Sequence, residues 1–176
     1  MKQEQVVIGL TNPKSITNVG AVMRAAGCFK VDQVWYSGER YDRASKMTTD
    51  TKQARSYIPL VNIHALNQPS FIDAVEEDVK IVCVDLIPGA TPLPDFKHLP
   101  KALYIFGPED GTIDQKTVDR ADFVGFIPTV GGLNFAASVN VFIYDRLDKS
   151  AAANAGAVLI FARIDVSNSA YVRCTV

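Results

Sequence analysis

Twice in the second half of this 176-residue chain, a short apolar run passes directly into a loop rich in glycine and proline. The first reads Tyr104-Ile-Phe-Gly-Pro-Glu-Asp-Gly111. The second leaves a run at Phe123 and reads Ile127-Pro-Thr-Val-Gly-Gly-Leu-Asn134 before a helical pattern begins. Apolar runs this short suit strands buried on both faces, which favours a parallel sheet covered by helices. Open sheets of that kind hold ligands outside the carboxyl ends of their strands, where these loops lie. Glycine lets bare backbone approach a ligand, because it has no Cβ and tolerates unusual dihedrals. The stretch from Tyr104 to Asp145 is therefore the expected ligand pocket, with Glu109 and Asn134 as its best-placed polar groups.

The rest of the chain agrees with a single α/β domain over residues 1–176, of five or six mostly parallel strands. Strands are expected at 6–10, 31–36, 57–63, 81–86, 103–106 and 123–127. Helices are expected at 15–28, closed by Gly27, at 69–77, 115–120, 135–147 and 156–164. The first strand, helix and second strand form a βαβ unit with a right-handed crossover. From Glu39 to Ser56 the sequence is polar and without a clear period, as a functional or mobile connection would be. Neither a Gly-x-Gly-x-x-Gly fingerprint nor a Gly-x-x-x-x-Gly-Lys-Ser/Thr loop is present, which disfavours an ordinary dinucleotide or phosphate-loop enzyme.

Charge is almost balanced, with 18 Lys and Arg against 19 Asp and Glu. Its distribution is uneven. Arg40, Arg43, Lys46, Lys52 and Arg55 form a basic run flanked by Tyr41 and Tyr57. Such a run can follow a phosphate backbone and stack on bases, or it can be an ordinary solvated face. Three widely spaced cysteines, Cys28, Cys83 and Cys174, argue against a disulfide framework or zinc site and for a reducing compartment. No run is long enough to cross a bilayer, and the N-terminus lacks a signal-peptide pattern. A cytoplasmic protein without a metal is expected.

Three constellations carry polar chemistry. Asn18-x-Gly20-x-x-x-Arg24 lies within the first helix. A glycine there costs about 1 kcal/mol relative to alanine, which suggests close packing against something. Phe106-Gly107-Pro108-Glu109-Asp110-Gly111 is a turn joined to a buried strand. Ile127 to Asn134 opens a helix, and Asn134 is either its N-cap, a site residue, or both.

Together, in this order and spacing, the three constellations resemble the motifs of the SpoU/TrmH-type RNA 2′-O-methyltransferases of the SPOUT superfamily. The resemblance covers about residues 5–150. It departs at Gly111, which comes one residue early, and in the third motif, which is short and carries Gly132 where the family usually has serine. It implies a deep C-terminal trefoil knot within about residues 81–147, with S-adenosyl-L-methionine bound there. Implied cofactor contacts are Val84, Leu86, Phe106, Gly107, Gly111, Ile127, Gly132, Leu133 and Asn134. Implied catalytic residues are Asn18, Arg24, Glu109 and Asn134. The family acts as a homodimer, in which Arg24 of one subunit would activate a ribose 2′-hydroxyl at the other's cofactor and Asn18 would help hold it. Glu109 would orient the Asn18–Arg24 region or the loop. The expected activity is methyl transfer to a ribose of tRNA or rRNA, with a catalytically silent RNA-binding relative as the alternative.

Overall fold

The computed structural model describes residues 4–47 and 58–150. Among the described residues seven strands form one sheet: β1 (Gln5–Leu10), β2 (Gln33–Tyr36), β3 (Leu60–Asn62), β4 (Lys80–Val84), β5 (Thr91–Pro92), β6 (Lys101–Phe106) and β7 (Phe123–Phe126). Every pairing is parallel, in the order β3-β2-β1-β6-β4-β7-β5. The helices are α1 (Ile16–Cys28), α2 (Arg40–Met47), α3 (Phe71–Ala74), α4 (Gln115–Asp119) and α5 (Phe135–Lys149). The expected 156–164 helix lies outside the described residues.

Side chains that alternate along the strands feed two apolar layers. Ile8, Leu10, Tyr104 and Phe106 pack with Val22 and Ala26 of α1 and Val139 and Phe142 of α5. Val7, Leu103, Ile105 and Cys83 pack on the opposite face with Phe71 of α3, and Val118 of α4 packs against that layer. Both faces are covered, so the strands read as continuous apolar runs rather than alternating ones. Burial pushes the Cys83 thiol up to about 12, which leaves it an inert core group.

Four features differ from the sequence expectation. A seventh strand, β5, sits at the sheet edge in what reads as a proline-spaced loop; its two residues end on Pro92, and proline is tolerated at an edge. The polar segment after Glu39 contains α2. Asp42 fixes it, accepting from Tyr36 Oη at 2.7 Å and Asn62 Nδ2 at 2.8 Å, so tertiary hydrogen bonds replace the apolar stripe that periodicity would detect. The helix expected at 69–77 shrinks to Phe71–Ala74, because Val75 is extended and the chain must enter β4 at Lys80. Helix α1 runs past Gly27 to Cys28, and the left-handed residue beyond it is Lys30 (φ 55°).

Gly125 of β7 has a packing reason for being glycine. A Cβ there would lie 2.9 Å from Phe96 and 3.0 Å from Phe142. Gly125→Ala is expected to destabilise the fold by about 1–3 kcal/mol through overpacking, read as a lower midpoint in chemical denaturation.

Beneath α5, His98 is nearly enclosed. Its Nδ1 lies 2.9 Å from Tyr104 Oη and its Nε2 lies 2.9 Å from the Asp145 carboxylate. The neutral tautomer with Nε2–H donating to Asp145 and Nδ1 accepting from tyrosine satisfies both. Burial pushes the His98 imidazole below its usual value, although Asp145 pulls it partly back. Below about pH 6.5 the unfolded chain therefore takes up this proton before the folded one does, and stability falls as pH falls. Melting temperature should decline between about pH 7 and 5, with a smaller slope in His98→Gln. An unchanged slope would count against this account.

Candidate functional site

The sheet's strand order reverses between β1 and β6, and the two strands end in register. Leu10 pairs with Phe106, and Val84 pairs with both Phe106 and Gly125. The loops after β1, β4, β6 and β7 consequently emerge side by side at a topological switch point, where open α/β sheets bind ligands. They line a cleft of about 480 Å³.

Glu109 organises its lip. One oxygen, Oε2, accepts from the backbone N–H groups of Lys14 at 2.9 Å and Ser15 at 3.2 Å. The other, Oε1, accepts a short hydrogen bond from Asn18 Nδ2. Asn134 Nδ2 in turn donates to Asn18 Oδ1 at 3.4 Å. A polar chain Glu109–Asn18–Asn134 thus joins residues 91 and 116 positions apart. Asn134 is also the N-cap of α5, its Oδ1 accepting from the N–H groups of Ala136 at 2.9 Å and Ala137 at 3.3 Å, a role that satisfies donors a helix leaves open.

Of the residues read from sequence, Asn18, Val84, Leu86, Phe106 and Gly107 line this cleft, together with Glu109, Gly111, Ile127, Gly132, Leu133 and Asn134. Leu86 and Leu133 are exposed apolar side chains at its rim. Arg24 is not among the lining residues; it stands exposed on α1. Gly20 departs from expectation, because a Cβ there would meet nothing within 4 Å. Nothing within the described chain crowds it. The expected basic run divides. Arg43, paired with Glu39 one turn earlier, and Lys46 are exposed on α2, Lys52 and Arg55 lie outside the described residues, and Arg40 is paired with Asp110.

Sequence reasoning missed Asp85. Its Oδ1 accepts from Leu86 N–H at 2.8 Å and its Oδ2 from Ile113 N–H at 2.9 Å, so it joins the loops after β4 and β6. The available signal was one carboxylate inside the apolar run 81–86. Lys14, Ser15 and Ser138 also line the cleft, and no motif singles them out.

A second cleft, of about 620 Å³, lies at the amino ends of β1 and β6 beside Glu4, His98 and Arg146. Parallel sheets seldom bind ligands at that end, and the chemistry-bearing residues converge elsewhere. Among the described residues no group of His, Cys, Asp and Glu is arranged to hold a metal ion, and no helix is long and apolar enough to cross a membrane.

Comparison with known proteins gives the family. The model of the SpoU rRNA methylase family matches residues 5–144. A search of curated proteins finds no match. Among solved structures, an rRNA methyltransferase from Sinorhizobium meliloti with AdoMet bound is 17% identical with a TM-score of 0.62, covering 82% of this chain and 57% of that one. The SpoU methyltransferase AviRb from Streptomyces viridochromogenes, in complex with AdoMet, is 17% identical with a TM-score of 0.62, covering 85% and 59%. A structure concerned with 2′-OH methylation of C/U34 on tRNA is 18% identical with a TM-score of 0.64, covering 83% and 96%. The chain thus spans less than two thirds of the first two relatives and nearly all of the third. At these identities the likeness establishes a shared fold. Together with the family match over most of its length, it shows that this chain belongs to the SpoU rRNA methylase family.

Proposed function

We propose that this protein is an S-adenosyl-L-methionine-dependent RNA methyltransferase that acts on a ribose 2′-hydroxyl of tRNA or rRNA as a homodimer. The observation that carries this reading is the Glu109–Asn18–Asn134 chain, which joins all three family constellations at one cleft. Similar structures contain AdoMet, and one concerns 2′-OH methylation of tRNA. We also propose that the chain is knotted at about 81–147. Insertion of β6 between β1 and β4, before α5 returns to the face of α1, supports this.

The cleft fits such a cofactor. Asp85 and Glu109 would offer negative charge to its sulfonium and ammonium groups, and the amino end of α5 would favour its carboxylate. Cβ atoms at Gly131 or Gly132 would meet nothing within 4 Å, so a ligand can approach the backbone there. Leu86, Ile127 and Leu133 supply apolar contact. When bound, the cofactor supplies an electrophilic methyl group whose transfer needs alignment rather than a metal.

Asn18 is held by Glu109 and Asn134 and retains a free hydrogen-bonding valence for a ribose hydroxyl. Arg24 acts from the partner subunit in this reading. Its guanidinium stabilises the hydroxyl oxygen as that oxygen gives up its proton to solvent and bonds to the methyl carbon, as a group that stays protonated can. Support for a second subunit comes from the outer surface of α1 and α5. Gly20 and Gly27 have open space beside Arg24, and Val141 and Tyr144 are exposed on α5.

The test is calorimetric binding of S-adenosyl-L-methionine, followed by methyl transfer to RNA and mass spectrometry of the nucleosides. A 2′-O-methylated nucleoside is the expected product, and a base-methylated one would overturn the ribose assignment. The alternative is a silent RNA-binding relative. The exposed 129–133 loop, with Val130 fully in solvent, favours it to that extent, and RNA binding without cofactor binding would favour it over the enzyme.

A further inference from the structure

Glu109 and Asp110 are neighbours that grip different elements. Glu109 holds the start of α1, as described. Asp110 accepts from both terminal nitrogens of Arg40, Nη1 to Oδ1 at 2.9 Å and Nη2 to Oδ2 at 3.0 Å. Lys14 Nζ lies 3.4 Å from the same carboxylate. Arg40 is the first residue of α2, the helix that also presents Arg43 and Lys46. The loop of the ligand cleft is therefore fastened to the basic helix at one carboxylate.

An isolated surface ion pair contributes little, and bidentate arginine geometry within a network is the exception. The Arg40 guanidinium holds the Asp110 carboxyl below the usual carboxylate range. The planar fork that fits this carboxylate fits a phosphodiester equally well. Arg40 is about one-third exposed, with a side-chain accessibility of 31%, so a phosphate can reach it.

We propose that Asp110 is a positioning residue that occupies Arg40 in place of an RNA phosphate, and that exchange of the two couples RNA docking on α2 to the order of the 107–113 loop. The proposal rests on the RNA methyltransferase reading and adds a regulation of its site. An RNA phosphate that takes Arg40 removes one of the loop's carboxylate anchors, while Glu109 and the Asp85–Ile113 hydrogen bond keep the others. Whatever RNA does to ligand affinity through this exchange, the ligand does in return to RNA affinity.

Asp110→Asn and Arg40→Ala separate the roles, because both break the pair but only one removes the cation. Binding of a synthetic mixed-sequence RNA oligonucleotide is measured against salt, with amide exchange of residues 107–113 in the protein alone. Faster exchange is expected in both variants. Asp110→Asn should bind RNA about 2–5-fold more tightly, the range an exposed ion pair spans. Arg40→Ala should bind it more weakly, with the salt slope reduced by about one. Unchanged exchange, or equal loss of RNA affinity in both variants, would overturn the proposal. These readouts need no cofactor, so a wild type that fails to bind S-adenosyl-L-methionine would refute the methyltransferase reading and leave this joint testable by exchange and RNA affinity.

Discussion

Replacing Arg24 with alanine is expected to lower methyl transfer by at least about 100-fold, while the affinity for S-adenosyl-L-methionine changes little. The expectation follows from position. Arg24 is exposed on α1 and lies outside the residues that line the cleft of its own chain. In the proposed dimer it meets the partner's cleft, so its loss removes transition-state stabilisation without touching the cofactor contacts. The kinetic signature is a fall in kcat and kcat/KM with cofactor binding retained. Mixed dimers sharpen the test. Arg24→Ala combined with a cleft-blocked variant such as Gly132→Trp should recover part of the activity, because one composite site then contains both an open cleft and an arginine. No recovery would place Arg24 in the wrong subunit, and full activity of Arg24→Ala alone would remove it from the mechanism.

Glu109→Ala should have the second-largest effect, on the fold and the site together. The substitution leaves the Lys14 and Ser15 N–H groups and the Asn18 amide without their carboxylate acceptor. Hydrogen bonds to a charged group contribute more than neutral ones, and these are partly exposed, so a loss of about 2–3 kcal/mol is expected. For a domain of this size that corresponds to a melting temperature lower by about 5–10 °C. Ligand affinity should fall as well, because Asn18 and the 107–111 loop lose their common anchor. Glu109→Gln, which keeps the shape and one acceptor, should recover a good part of the stability. A wild-type melting temperature in Glu109→Ala would show that the three contacts do not act as an anchor.

Much of this site was legible because glycine, proline and single polar residues stand out against apolar strands. Phe106-Gly107-Pro108-Glu109 and Ile127-Pro128 mark strand ends by their own local chemistry, and the family match over residues 5–144 agrees with the resemblance they carry. Asp85 was not legible, since its function is to join two loops from strands that are neighbours only in the sheet. Helix α2 escaped for a similar reason. Asp42 fixes it through Tyr36 and Asn62, and no periodic apolar face announces it. Arg40 read only as a member of the basic run, because its partner Asp110 is 70 positions away.

Apolar runs, helical spacing and turn residues are local properties, and by themselves they determined the α/β class, most of the strands and the loops that carry chemistry. The tertiary structure alone decided which groups meet. Parallel strand order and register brought Glu109, Asn18 and Asn134 within hydrogen-bonding distance. They also set Asp110 against Arg40, and left Arg24 facing outward. Hydrogen bonds and ion pairs depend on distances of a few ångströms between residues remote in sequence, and only the folded sheet fixes those distances.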